Sequence, residues 1–375
     1  MDRSTVKRWM RSAVPALIMA AVGVMAASWM WYSAIPDHIQ VFSDETRTLN
    51  LPMKDVTISV LPEKTLIPGG YSVGIRMDVS GVLIVGLEEI PTEAGMVNPG
   101  LAAGLQIGDS VLAVDGTPVV RAADVQKLLN QQQPRESVTL KIQRKGEIAY
   151  IDVRPVQSKE DGRWKLGVWV KEKTAGLGTV TYYDPDTQTI GALGHGITES
   201  NTGQVLKVAE GEMMFSRVES VLQGSSGKPG EIRGIFYEDD EPMGILRHNS
   251  EFGIFGQASH PLENPLYETP LKVGYQSEIE KGPAQILTTI DGNRIECFDI
   301  EIEKIDRQTR PGTKGMVIRV TDQRLLEKSG GIVQGMSGSP ILQNGKIIGA
   351  VTHVLVNDPR RGYGIFIEWM LKETE

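Results

Sequence analysis

Cysteine is nearly absent, with Cys297 alone in 375 residues, and so are histidine, at five, and aromatic side chains, at 6%. One thiol builds neither an intramolecular disulfide framework nor a Cys-rich zinc site. Stability must therefore come from packing. An excess of basic charge is missing too. The 39 Lys and Arg face 47 Asp and Glu, a formal charge of −8, and no dense basic patch follows the N-terminus. General attraction to nucleic acid is excluded on that ground. The composition of a disordered chain is also lacking. With 40% hydrophobic residues, the length suffices for two or three cored domains of about 100–200 residues each.

One long apolar run is present. Arg3, Lys7, Arg8 and Arg11 precede an uncharged stretch from Ser12 to Pro36, and Asp37 restores charge. About 20 apolar residues cross a bilayer. The basic flank predicts an N-terminus inside, and Trp29, Trp31 and Tyr32 sit where an interfacial aromatic belt belongs. The run exceeds the roughly 7–15 residues of a signal-peptide apolar region, so an uncleaved anchor is expected, with a cleaved signal near Ala26 and Ala27 as the competing reading. Either way the remainder is exported.

Residues 1–36 thus form a basic stub and transmembrane helix, and 37–69, broken by Pro52, Pro62 and Pro68, form a linker with one strand, Val56 to Val60. From Tyr71 to Val79 and from Val82 to Val85 the text reads as two strands joined by a Ser-Gly turn. Asn98 to Val119 (NPGLAAGLQIGDSVLAVDGTPV) predicts a short helix at Leu101–Gly104, a Gly108-Asp109 turn, an alternating strand and an Asp115-Gly116 hairpin turn. Ala122 to Gln131 reads as a helix with Val125, Leu128 and Leu129 on one stripe. Lys145-Gly146 closes a last hairpin. This stretch, 70–156, resembles a PDZ domain, most of all in Pro99 to Asp109 followed by the Asp-Gly turn. The resemblance implies peptide binding by strand addition, and the expected binding loop is Tyr71, Ser72, Val73, Gly74 and Ile75. Residues 157–375 are strand-like and rich in glycine turns, as around Asp291-Gly292-Asn293, which predicts a sandwich or barrel. The chain is therefore expected to be mainly β.

Near the C-terminus, Gly335-Met-Ser-Gly-Ser-Pro340 precedes an apolar strand. A serine hydroxyl attacks only when a base takes its proton, an acid orients that base and donors await the oxyanion. Gly335 permits a turn in which its own N–H and that of Ser337 form a two-donor oxyanion hole. Of the four histidines beyond His38, His195 in Gly191-Ala-Leu-Gly-His-Gly-Ile197 has the open setting of a base; His248 and His260 lack it, and His353 is expected to line the cleft or core. Asp322, ending an alternating strand, suits the acid, with capping of a turn as the plainer reading and Asp239, Asp240, Asp291 and Asp306 as alternatives. The strand Ile347 to Val356 is the expected rail for an extended substrate.

An anchor, a PDZ domain, GHGI, GMSGSP, GAVTHV and Asn357-Asp-Pro, in that order, closely resemble the stage IV sporulation protein B peptidases. The resemblance implies a chymotrypsin-like double β-barrel with His195 as base, Asp322 as acid and Ser337 as nucleophile, and no metal or other cofactor. It also implies a role in endospore formation: export into the space between the two forespore membranes, self-cleavage there, and cleavage of a membrane-bound inhibitor of the intramembrane protease that matures the late mother-cell sigma factor. Met336 stands where trypsin-like enzymes carry the Asp that pairs with a new N-terminus, so that mode of activation is excluded. The alternative is a non-catalytic, membrane-tethered PDZ signalling protein.

Overall fold

The computed structural model describes residues 29–30, 38–41, 47–51, 54–60, 63–130, 137–199, 202–236 and 240–374. They fall into two units, 1–64 and 65–375. In the first, His38–Val41 pairs in parallel with Lys54–Val60, which pairs antiparallel with Arg47–Leu51. The run expected to cross the membrane lies outside the described residues except for Trp29 and Met30, which are helical. Among the described residues no helix is long and apolar enough to span a bilayer.

In the second unit, strand pairing closes two six-membered rings. The first runs Ser72–Leu87, Val168–Asp184, Thr189–Ala192, Gly253–Ala258, Gly244–Ser250 and Val208–Phe215, which returns to Ser72–Leu87. The second runs Gly282–Thr289, Ile295–Ile305, Met316–Val320, Asp358–Phe366, Lys346–Leu355 and Pro340–Gln343, which returns to Gly282–Thr289. Short strands Thr65–Pro68 and Leu271–Val273 join the rings along one side. The expected double β-barrel is thus present. Each ring is filled by inward positions of alternating strands: Val73, Ile75, Met77, Val180, Ile190 and Ile254 in the first, and Ile286, Phe298, Ile318, Ile341, Ile347 and Ile365 in the second, all at most 2% exposed. Burial of each such side chain contributes about 1.5–3 kcal/mol.

The PDZ domain does not precede this barrel pair but is inserted into it. Ser72–Leu87, the entry strand, and Val168–Asp184, the return strand, are single strands of 16 and 17 residues. Their outer halves, 72–79 and 173–184, belong to the first barrel. Their inner halves, 82–87 and 168–171, carry the PDZ sheet with Ser110–Val114, Val138–Arg144 and Glu147–Val153. The expected Ser-Gly turn is instead a bend in one strand. Gly81 takes φ +78° and lies so close to the Val111 carbonyl that a Cβ would sit 2.6 Å from it, while the Ser80 N–H donates to Lys207 O. The boundary expected at 156/157 is therefore replaced by two crossings.

Within the insert, the turns read from the sequence are present. Asp115-Gly116 and Lys145-Gly146 take left-handed φ in pairs, as tight hairpin turns require. Asp109 is 1% exposed. It accepts the Gln106 N–H and a two-pronged contact from Arg144 at 2.7 and 2.6 Å, which ties the Gly-Asp turn to the far strand. The helix spans Ala122–Asn130 and buries Val125 and Leu129.

Candidate active site

His195 follows the first-barrel strand Thr189–Ala192, and Ser337 precedes the second-barrel strand Pro340–Gln343. Both line one cleft of about 780 Å³ between the barrels, together with His353, Gly335, Glu251 and Thr174–Leu177 of the return strand. The loops touch at Gly338. With φ +97°, it approaches the first barrel so closely that a Cβ would lie 2.0 Å from Thr179 O and 2.4 Å from Leu193 N. Leu193 itself is held at φ +69°, a costly conformation for a leucine, two residues before the histidine.

The serine loop is pinned from every side. Thr179 of the return strand donates its N–H to Ser337 O at 2.9 Å and its hydroxyl to Gly335 O at 2.8 Å. Thr181 donates its hydroxyl to Gly338 O at 2.8 Å, and Gly338 N–H donates to Val351 O at 2.8 Å. From the hairpin Arg217–Leu222/Glu231–Ile235, Ile232 N–H donates to Gln334 O, and Gln334 N–H donates to Gly230 O. Gly335 takes φ +98°. Met336 is wholly buried, so the position preceding the nucleophile is a packing site. The Met336 carbonyl accepts the Ser339 N–H within the loop, and the N–H groups of Gly335 and Ser337 make no hydrogen bond among the described residues. They are the free donors an oxyanion hole needs. The Ser337 hydroxyl donates to Thr352 O at 2.8 Å.

His195 is half-buried. Its Nδ1 lies 2.9 Å from Gly196 O. A carbonyl only accepts, so Nδ1 carries the proton and Nε2 presents the lone pair of a base. Burial, partly opposed by the Gly196 contact, lowers its pKa. The His353 ring lies 4.9 Å from it, centre to centre. His353 is exposed at the cleft rim, yet the loss of water on its cleft side, with His195 and Lys314 nearby, lowers its pKa to about 4. Both shifts favour the neutral ring.

Asp322 is not part of this arrangement. It caps the helix Gln323–Ser329, accepting the Arg324 N–H at 2.9 Å, and it grips the Arg324 guanidinium at 2.7 and 3.1 Å while accepting the Asp299 N–H. Arg324, above all, holds its carboxyl below the usual range. Asp-Gln-Arg-Leu-Leu-Glu-Lys is a helix start, where Asp is spent as the N-cap. The expectation of Asp322 as triad acid is corrected accordingly. Asp240, Asp291 and Asp306 do not line the cleft either, and Asp239 lies outside the described residues. Among the described residues Glu251 is the one carboxylate that does, in the turn whose Ser250 carbonyl abuts Gly196; the sequence around it carries no catalytic signal. His248 pairs with Glu373, and His260 stacks on Phe215, both away from the cleft.

Two peptide-binding expectations also change. Tyr71–Ile75 is no loop. Val73 and Ile75 are barrel core, and residues 73–75 pair with the return strand on one edge and with Val208–Phe215 on the other. Neither edge is left for a peptide. The PDZ groove, about 440 Å³, instead lies between the helix Ala122–Asn130 and the start of the return strand, lined by Ile84, Val125, Leu129, Val168 and Val170. Its signal in the sequence is Leu166-Gly-Val-Trp-Val170, a glycine at φ +71° opening an alternating strand. The proposed rail is closed on both sides at Ile347, by Pro340–Gln343 and Leu271–Val273, and at residues 349–350, by Pro340–Gln343 and Asp358–Phe366.

A serine and a histidine brought together by two β-barrels, with free N–H donors beside the serine, are the equipment of a serine peptidase. The chain belongs to the SpoIVB peptidase S55 family, whose profile matches residues 162–371, and a PDZ profile matches 86–155. Among solved structures, the Rv3671c protease of M. tuberculosis is similar in its active form, at 15% identity over 53% of this chain and 72% of that one, with a TM-score of 0.32. Its inactive form is similar at 15% identity over 52% and 81%, with a TM-score of 0.29. No curated protein matches.

Proposed function

We propose that the chain is a membrane-anchored serine endopeptidase of endospore formation in which Ser337 attacks, His195 is the base, and the N–H groups of Gly335 and Ser337 receive the oxyanion. The observation that carries the assignment is the shared cleft: His195 and Ser337 come from different barrels, yet their loops meet at Gly338. Attack begins when the Ser337 hydroxyl leaves Thr352 O and turns to His195 Nε2. The imidazole takes the proton, Oγ bonds to the scissile carbonyl carbon, and the charge on the carbonyl oxygen is met by the two N–H groups. His195 then returns the proton to the leaving amine, and water repeats the sequence on the acyl-enzyme. The Gly196 carbonyl performs half of a triad acid's work: it fixes the tautomer but adds no full charge to stabilise the imidazolium. Slow, selective cleavage fits such a site better than general digestion.

Family membership and the basic, then apolar, N-terminal run support the biological reading. The anchor would hold the chain with its N-terminus inside and both domains in the space between the forespore membranes, where it would cut itself and a membrane-bound protease inhibitor. Full-length protein in vesicles should release a shortened chain on incubation. The Ser337→Ala protein should not, and sporulating cells carrying it should fail to switch on late mother-cell genes. Equal self-cleavage by both proteins would remove the proposal.

A further inference from the structure

The return strand has one paired edge and one bare one. Over Val168–Gly178 it pairs with the entry strand alone, whereas its second edge acquires a partner, Thr189–Ala192, only from Val180 onward. No other strand among the described residues joins that edge. An unpaired edge offers a row of backbone donors and acceptors and is usually covered or interrupted by charge. Here the two ends of the bare stretch open into the two cavities already described. Val168 and Val170 line the PDZ groove, and Thr174–Leu177 line the cleft of His195 and Ser337.

We infer that this edge is a substrate track: one extended segment of a protein substrate adds to the return strand along Val168–Leu177, held at one end in the PDZ groove and cut at the other by Ser337. The inference rests on the reading of that cleft as catalytic. Strand addition suits both ends, because a PDZ groove and a peptidase cleft each take their ligand as extended backbone. The two rows belong to one continuous strand, which bends between them at irregularities at Trp169/Val170 and Lys171/Lys173. Between them, Glu172 accepts the N–H of Ala122 and fixes the groove helix beside the strand.

The chemistry of the groove narrows the occupant. Its wall is apolar, but Glu88, Glu89 and Glu160 line it against a single Lys165. Three carboxylates disfavour a free C-terminal carboxylate by like-charge repulsion. The groove therefore takes an internal apolar segment. Val168 and Leu177 are nine residues apart, about 30 Å of strand at ~3.3 Å per residue. The groove-held residues should lie about ten residues from the scissile bond.

A tether tests the spacing without a known ligand. In a Cys297→Ser background, Met96→Cys places one thiol on the exposed rim of the groove. A pool of mixed-sequence peptides, each of about 30 residues with one terminal cysteine, is attached by disulfide exchange, and the cut positions are read by mass spectrometry. Cuts should cluster about 8–14 residues from the tether, roughly tenfold above other positions, and two prolines in the spacer should disperse the cluster by removing backbone donors. Cuts spread evenly along the peptide, or no cut in tethered peptide while the same protein still cleaves itself in vesicles, would overturn the track. Failure of every variant and of the unmodified full-length chain to cleave themselves in vesicles would instead remove the catalytic reading and the track with it.

Discussion

The loops that carry Ser337 and His195 face each other across one cleft but are held very differently. The serine loop has each of its carbonyls from Gln334 to Gly338, apart from buried Met336, tied to another element, and two threonines of the opposite barrel clamp it. The histidine has one hydrogen bond, to the carbonyl of the next residue, and a neighbouring neutral ring. Oxyanion donors are thus built into the fold, whereas the base is oriented by backbone and by packing. Under the proposed mechanism, and with no carboxylate on His195 among the described residues, this division assigns the larger share of the rate enhancement to the preorganised donors.

The comparison can be broken most severely at its two central groups. Ser337→Ala or His195→Ala should each lower kcat/KM by about a thousandfold or more, measured on casein or a reporter peptide. Gly338→Ala comes next. Its Cβ would overlap Thr179 O and Leu193 N at a left-handed φ, so the loops must part; activity should be lost and the melting temperature should fall, reflecting a cost of several kcal/mol. Thr179→Val removes only the hydroxyl contact to Gly335 O. It should lower kcat about tenfold with KM nearly unchanged, and Thr179→Ser should restore it.

Two smaller effects sharpen the histidine side. A base must be neutral, and burial lowers the His195 pKa, so the acid limb of kcat/KM should fall below the ordinary histidine value of about 6.5. In His353→Ala, water reaches the ring, and the limb should move up toward that value. Smallest of all should be Asp322→Ala, which removes a helix cap and the Arg324 contact. About 1 kcal/mol of stability should go, read by urea unfolding, with kcat/KM within about threefold of the unmodified chain.

Much of the site was legible because a few residues dictate local backbone. Gly335 and Gly338 mark a turn that only glycine makes, Pro340 starts the next strand, and the small neighbours of His195 leave its ring room. Asp-Gly and Lys-Gly pairs fixed the hairpins for the same reason. The insertion was not legible, since a strand shared by two domains alternates like any other, and Ser80-Gly81 looks the same as a bend or as a turn. Asp322 illustrates a further limit: the residue type that orients a histidine is also the preferred helix cap, and only tertiary contact separates the two. The PDZ groove was missed because the binding strand returns after the domain rather than before it.

The central claim is that Ser337 is activated by His195, whose Nδ1 meets the Gly196 carbonyl and, among the described residues, no carboxylate, and labelling by a serine-directed phosphonate tests it most directly. The account predicts one modified site, Ser337, with labelling abolished in His195→Ala and nearly unchanged in Asp322→Ala. Labelling at another serine, or its loss in Asp322→Ala protein that remains folded, would contradict it.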